Sequence, residues 1–407
     1  MKKKALSLVL ASAMVASLVG CGSSAETETP SAAETTTTEA AATEAAATDA
    51  ATTEAAATEA ATTDNSDKKI AMITDSGDIT DESFNQITWE TCVAYGEANG
   101  IETQYYKPAE DTDEERINAV DLAVAEGATV VVMPGYLFGP AIAEEQDLYP
   151  DVTFIAVDVT EGDIVNLAGE NVALGSNVYI CSFQEEQAGY LAGYAAVKDG
   201  YTSLGFLGGI AVPAVIRYGF GYIQGINAAA EEMGVDVDVK YYYGGQFYGD
   251  ADITAYMDTW YGSKGVEVVF ACGGGIYTSA AEAAAKVDGK VIGVDSDQSG
   301  IIGEDITVTS AMKGLAPTVK TALDAIKDGN WESDYAGKID NLGLISENPE
   351  DNYVQLPMET TQWDDNFTVD DYKDLVKKLY NGEIEVSSDI TAMPETEITV
   401  NDYGSIK

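Results

Sequence analysis

Lys69-Ile-Ala-Met-Ile-Thr74, followed without a break by Asp75-Ser-Gly-Asp-Ile-Thr-Asp-Glu-Ser-Phe-Asn-Gln86, sets the reading of the whole chain. The first piece is a short apolar run of the kind that forms a buried strand. Beyond it, Ser83 to Asn99 carries Phe84, Ile87 and Tyr95 at spacings that suit one helical face. Thr80 and Asp81 are N-cap candidates, which puts Phe84 and Asn85 in the first helical turn. In an open α/β sheet such a strand–loop–helix junction lies at the carboxyl edge, where ligands bind. Asp75, Phe84 and Asn85 thereby offer a carboxylate, an aromatic face and an amide to something small and polar.

Outward from this stretch, short apolar runs alternate with helical segments. The runs are Ile70–Ile73, Thr129–Met133, Thr153–Val159, Leu204–Leu207, Val235–Tyr243, Val266–Ala271, Val291–Val294 and Ile306–Thr309. This alternation predicts βαβ units and parallel sheets covered on both faces. About 340 residues exceed what one core usually supports, so two lobes are expected. The expected division is 68–180 for the first lobe, with return segments from about 300–407, and 181–299 for the second. Glu185–Val197, with Ala, Gly and Tyr at helical spacing, begins the second lobe in this reading. Ligand would then sit in a cleft between the facing carboxyl edges.

The chain begins with Lys2, Lys3 and Lys4, an apolar run from Ala5 to Val19, and Leu18-Val19-Gly20-Cys21. The run is too short for a comfortable membrane span, and residues 1–20 read as a leader. The box resembles a bacterial lipoprotein cleavage site, which implies a lipid on Cys21 and a chain anchored at the extracytoplasmic face of the cell membrane. Residues 21–67 then read as a tether. Acidic residues recur every five positions from Glu34 to Asp64, winding charge around any helix and leaving no apolar face to bury. As a flexible coil it would reach on the order of 35–40 Å.

A formal net charge of −48 argues against nucleic acid as a partner. The chain has no histidine, which removes Ser-His-Asp and Cys-His catalysis and most zinc enzymes. It carries no phosphate-binding GxxxxGK[ST] loop, and no cofactor or metal is expected. The glycine clusters Gly205-Phe-Leu-Gly-Gly209 and Gly273-Gly-Gly275 fit tight strand-to-helix turns as well as any ligand. Cys92, Cys181 and Cys272 are far apart in apolar company and read as buried free thiols. Paired-carboxylate hydrolysis stays open as an alternative to binding, because acids are plentiful.

Several pieces, in order, resemble the basic membrane protein family of substrate-binding lipoproteins, the group that contains the purine nucleoside receptor A proteins. They are Asp75…Asp81-Glu-Ser-Phe-Asn-Gln86, Phe183-Gln-Glu-Glu-Gln-Ala-Gly-Tyr-Leu-Ala-Gly193, Gly205–Gly209, Pro213–Gly225, Gly293-Val-Asp-Ser-Asp-Gln298, Thr309-Ser-Ala-Met-Lys313 and Gly382-Glu-Ile-Glu-Val386. The resemblance implies a two-lobed type I periplasmic-binding fold without enzymatic activity, delivering a nucleoside, expected to be a purine, to an ABC permease. It implies that Asp75 and Asn85 bond the base edge and that Phe84 stacks on the base. Asp158 and Asp295 would take ribose hydroxyls, Lys313 would donate to the sugar, and Gly274 or Gly275 would let backbone approach it. Phe247, with Tyr218 second, would form the opposite wall of the base. Gly244-Gly-Gln-Phe-Tyr-Gly-Asp250 departs here from the family's Gly-Ser-Phe pattern. A free sugar or another small metabolite is the alternative ligand.

Overall fold

The computed structural model describes residues 68–405; the leader, Cys21 and the tether lie outside the described residues. Two sheets organise the chain. The first contains β1 (Lys69–Ile73), β2 (Glu102–Tyr106), β3 (Val130–Pro134), β4 (Thr153–Val157) and β5 (Val178–Phe183). The second contains β6 (Ser203–Gly208), β7 (Asp238–Tyr243), β8 (Val268–Cys272), β9 (Lys290–Asp295) and β10 (Thr307–Lys313). Four late strands, β11 (Ile339–Leu342), β12 (Val354–Gln355) and β13 (Thr399–Ser405) among them with β10, distribute the end of the chain over both sheets.

The orders are β11-β5-β4-β3-β1-β2 and β12-β10-β9-β8-β6-β7-β13. The five leading strands of each sheet therefore share one winding, 2-1-3-4-5. All pairings are parallel except that of β10 with β12. β1, β3 and β8 are buried along their whole length, as strands covered on both faces must be.

Helices cover each sheet on both sides. On the first sheet α1 (Phe84–Asn99) places Cys92 and Tyr95 in one core layer, while α2 (Asp113–Ala125) and α3 (Gly139–Leu148) place Val120 and Ile142 in the other. On the second, α4 (Glu185–Lys198) and α5 (Pro213–Met233) cover one face, and α6 (Ala251–Gly262) with α7 (Tyr277–Ala284) the other. A short α8 (Ser299–Ile302) follows β9. The chain then adds α9 (Leu315–Asp328), α10 (Trp331–Asp334) and α11 (Val369–Tyr380). Among the described residues, Cys92, Cys181 and Cys272 are buried free thiols.

The structure divides the chain differently from the sequence expectation. β5 belongs to the first sheet, so that lobe runs past residue 180 to Phe183. Residues 300–407 do not simply return to it. β10, β12 and β13 join the second sheet and α11 packs on its core, while α9 and β11 go to the first. The physical reason is pairing rather than local pattern. β10 and β13 find open parallel edges beside β9 and β7, and the apolar face Leu315, Val319, Ala322 of α9 completes the layer begun by α1. β2, an edge strand reading Glu-Thr-Gln-Tyr-Tyr, offered no apolar run to find.

Candidate functional site

The 2-1-3 winding of each sheet makes a switch point between its first and third strands, where adjoining loops diverge and a crevice opens. In the first lobe Asp75 and Gly135 flank that point; in the second Gly209 and Gly273 do. Asp75, Gly135 and Gly273 line one cavity of about 950 Å³ between the carboxyl edges of the two sheets, and Gly209 lies against the ring of Phe247 on its wall. The ten ligand-site residues expected from the sequence all line the same cavity.

The opening loop is held by its own carboxylates. The N-cap position of α1 is Ser83 rather than Thr80 or Asp81, but its side chain makes no capping bond. Asp81, two residues earlier, caps the first turn instead by accepting from the backbone N–H of Ser83, Asn85 and Gln86 at 3.0–3.1 Å. Asn85 donates Nδ2 to Asp75 Oδ1 (2.9 Å) and Asp81 Oδ2 (3.1 Å), and its Oδ1 accepts from the Asp75 N–H. Asn85 is thus spent on aiming Asp75. Burial pushes the Asp75 carboxyl up to about 6, against the pull of the Gly77 N–H and Asn85. Gly135, at φ 120°, lets the neighbouring turn pass; a Cβ there would sit 3.2 Å from Asp75 Oδ2.

Asp158 and Asp295 follow or end β4 and β9, and both adopt left-handed backbone, φ 60° and 64°. Such conformations cost a non-glycine residue on the order of 1–3 kcal/mol and cluster at functional sites. Asp158 Oδ2 accepts from Lys313 Nζ, whereas its buried Oδ1 has no hydrogen-bond partner. Burial pushes the Asp158 carboxyl up to about 7, in opposition to Lys313. Asp295 is served by neutral donors, Ser83 Oγ at 2.6 Å and the Tyr218 hydroxyl at 3.2 Å.

Lys313 ends β10 with its side chain 3% exposed, 3.5 Å from Glu185 and 3.6 Å from Asp295. Burial alone would favour its neutral form. The carboxylates of Asp158, Asp295 and Glu185 more than reverse this and hold its pKa above the ordinary lysine range. Its ammonium also lies 4.6 Å from the Phe84 ring centroid, a cation–π contact. Glu185, wholly buried, pairs with Arg217 Nε at 2.5 Å. Burial opposes its ionisation, but Arg217 and Lys313 hold its carboxyl below the usual range. Sequence reasoning left out Glu185, Arg217 and Ser83, although all three stand inside quoted motifs. Only their long-range partners reveal a role.

Two aromatic candidates for the far wall differ. Tyr218 is 1% exposed, edge-on to Phe270, with its hydroxyl held by Asp295. Phe247 is only partly buried and rests against glycines: a Cβ on Gly209 or Gly273 would meet its ring at 2.5 or 3.0 Å. Gly274, at φ 52°, and Gly275 hold the Phe247 backbone, with Gly275 N–H donating to its carbonyl at 2.8 Å. Phe84 from the first lobe and Phe247 from the second are therefore the open rings.

The lobes are joined three times: between Phe183 and Glu185, between Lys313 and Leu315, and between Leu342 and Val354. Backbone bonds tie the crossings side by side, Gln184 N–H to Leu342 O (2.9 Å) and Gly314 N–H to Tyr353 O (2.7 Å). Away from them, Ser83–Asp295 and Gln298 Nε2 to Glu82 O (3.0 Å) also connect the lobes. Among the described residues no His/Cys/Asp/Glu group suited to a metal ion occurs, and no helix is long and apolar enough to cross a membrane.

Two wound sheets facing each other across a ligand-sized cavity make the type I periplasmic-binding fold. Solved ABC-transporter solute-binding proteins share this architecture. One from Aeropyrum pernix K1 superimposes with TM-score 0.63 at 20% identity over 81% of this chain and 94% of that one. Another from Conexibacter woesei DSM 14684 gives 0.61 at 23% identity, over 79% and 99%. The family model for the ABC transporter substrate-binding protein, PnrA-like (Bmp), matches residues 68–389, and the chain belongs to that family. It is 28% identical over 285 residues to the ABC transporter nucleoside-binding protein BmpA of Lactococcus lactis subsp. cremoris, covering 65% of this chain and 77% of that protein. Against Basic membrane protein B of Borreliella afzelii it is 27% identical over 326 residues, 78% and 87% of the two chains. The chain is accordingly an ABC transporter substrate-binding protein, and its family binds rather than transforms its ligand.

Proposed function

We infer that this chain binds a purine nucleoside and delivers it to the membrane subunits of an ABC importer. The observation that carries this reading is Asp158, which lines the cavity and whose buried Oδ1 is an acceptor lacking a donor. A buried acceptor without a partner costs about 1–3 kcal/mol, which a ribose hydroxyl would recover. Phe84 and Phe247 supply faces for the base, and Asp75, aimed by Asn85, accepts from its edge. The relative from Lactococcus lactis named as nucleoside-binding supports the same ligand class.

Closure would be a hinge motion about the three side-by-side crossings, in proportion to the ligand's differential affinity for the open and closed forms. Lys313 and Glu185 stand at two of those crossings, so the ion network couples ligand to hinge. Cys21, outside the described residues, would carry the lipid that holds the protein at the extracytoplasmic membrane face, with residues 21–67 as its tether. Titration calorimetry with inosine, guanosine, adenosine, cytidine and free ribose tests the ligand class. Purine nucleosides bind most tightly if it is right. Absence of any nucleoside binding below roughly 100 μM overturns it, and tighter binding of ribose than of any nucleoside makes the ligand a sugar.

A further inference from the structure

One residue of the cavity lining, Ile390, comes from the stretch of chain just beyond the Gly382–Val386 piece. After α11 the chain runs without regular secondary structure from Gly382 to Ile398 over the second lobe before forming β13 beside β7. Ile384, Val386, Met393 and Ile398 pack against the core of that lobe. Two side chains of α5 pin the segment's backbone. Gln224 exchanges bonds with Ser387, Nε2 to its carbonyl at 3.0 Å and Oε1 from its N–H at 2.8 Å, and Asn227 accepts from Glu397 N–H at 2.8 Å.

Between the anchors Val386 and Met393 a short bulge turns on Asp389, whose carboxylate accepts from the Thr391 N–H and hydroxyl. At its tip Ile390 leaves the core and lines the ligand cavity, only half-buried, with Ile210, Val212 and Pro213 also on that wall. Ile210 is itself 38% exposed. A half-buried isoleucine at the tip of a bulge keeps part of its aliphatic surface open to the cavity. That open part gains when something apolar covers it. The rest of the cavity is rich in carboxylates suited to hydroxyls, so a lip of aliphatic side chains suits the face of a ring. The match to the family model covers residues 68–389 and ends just before Ile390.

We propose that the C-terminal segment is a strap whose residue Ile390 forms part of the ligand-binding wall, covering the base and setting how tightly the second lobe holds it. This rests on the nucleoside reading above. The strap is fixed to the second lobe, so Ile390 travels with that lobe on closure and meets ligand already seated against the first.

The test compares the wild-type chain with Ile390→Ser and Ile390→Leu, by calorimetry against the purine nucleoside bound most tightly and by stopped-flow release. Ile390→Ser is expected to weaken binding about fivefold, through faster release with little change in association, and Ile390→Leu to stay within about twofold of wild type. The melting temperature of both variants stays at the wild-type value, because Ile390 contributes nothing to the core; a lowered melting temperature for Ile390→Ser makes the residue structural and overturns the proposal. Wild-type binding with an unchanged Ile390→Ser affinity overturns the wall role alone. A wild-type chain that binds no nucleoside overturns the ligand reading and this assignment with it.

Discussion

Asp158 and Asp295 occupy matching corners of the two lobes, each at the carboxyl end of the fourth strand in the 2-1-3-4-5 winding. Both corners use the same left-handed turn. Their chemistry has diverged. The first corner is charged, with Lys313 against Asp158 and one oxygen left unpartnered. The second is neutral in its hydrogen bonding and complete, with Ser83 and Tyr218 on its two oxygens. The same division holds at the switch points. The first lobe presents Asp75 beside Gly135, and the second presents two glycines that make room for Phe247. One backbone turn is used twice, and the two switch points differ: a carboxylate beside a glycine in the first lobe, glycines that make room for an aromatic ring in the second.

The sharpest way to break this comparison is to remove the cation. Lys313→Met leaves Asp158 and Glu185 buried without it and should lower stability by about 3–5 kcal/mol in denaturant unfolding. Asp295→Asn, which keeps a partner for its neutral donors, should cost about 1 kcal/mol. Equal losses would erase the distinction between the corners.

Acidity separates them next. With Asp158 pushed up to about 7 and Asp75 to about 6, the acceptors of the first lobe take up protons as pH falls. Affinity should therefore drop at least tenfold between pH 8 and pH 5.5 in calorimetry. Folding stability should move the other way. A carboxyl whose folded pKa is raised adds stability that is complete below its unfolded pKa, near 4, and is lost as pH rises through 6 to 7. The melting temperature is thus expected to be higher at pH 5 than at pH 8.

The two walls offer a finer test. Phe84→Ala should weaken nucleoside binding roughly tenfold, and Phe247→Ala by a similar factor, if the base is stacked from both lobes. A large loss at one ring and none at the other would assign stacking to a single lobe. Smallest of all, Ser83→Ala removes one bond between lobes and should loosen apparent affinity by about 1 kcal/mol, with a larger radius of gyration for unliganded protein in solution scattering.

Much of this was legible beforehand because the winding is written locally. Ile70–Ile73, the Asp81 cap and the helix beginning at Phe84 announce a strand, a carboxyl-edge loop and a helix within twenty residues. Asp158 and Asp295 could be found because each ends an apolar run. Other features are not local. Glu185 reads as an ordinary acidic residue in the first turn of a helix until Arg217 and Lys313 arrive from 32 and 128 positions away. Asn85 looked like a ligand-facing amide, and only its bonds to Asp75 and Asp81 show where its hydrogen-bonding capacity goes. β13 and the bulge at Ile390 depend on which sheet edge stays open, which no periodicity reports.

The interleaving of the last strands has a consequence for how the molecule comes to be folded. Strands β1 to β5 are contiguous and can wind as soon as they are made, lacking only β11 at one edge. The second sheet is bounded at its two edges by β12 and β13, the last two strands synthesised. A nascent chain stopped between Leu342 and Val354 would hold every strand of the first sheet and a second sheet with both flanks exposed. Loop closure on that scale is slow, so maturation of the cleft should lag well behind the burial of the first core.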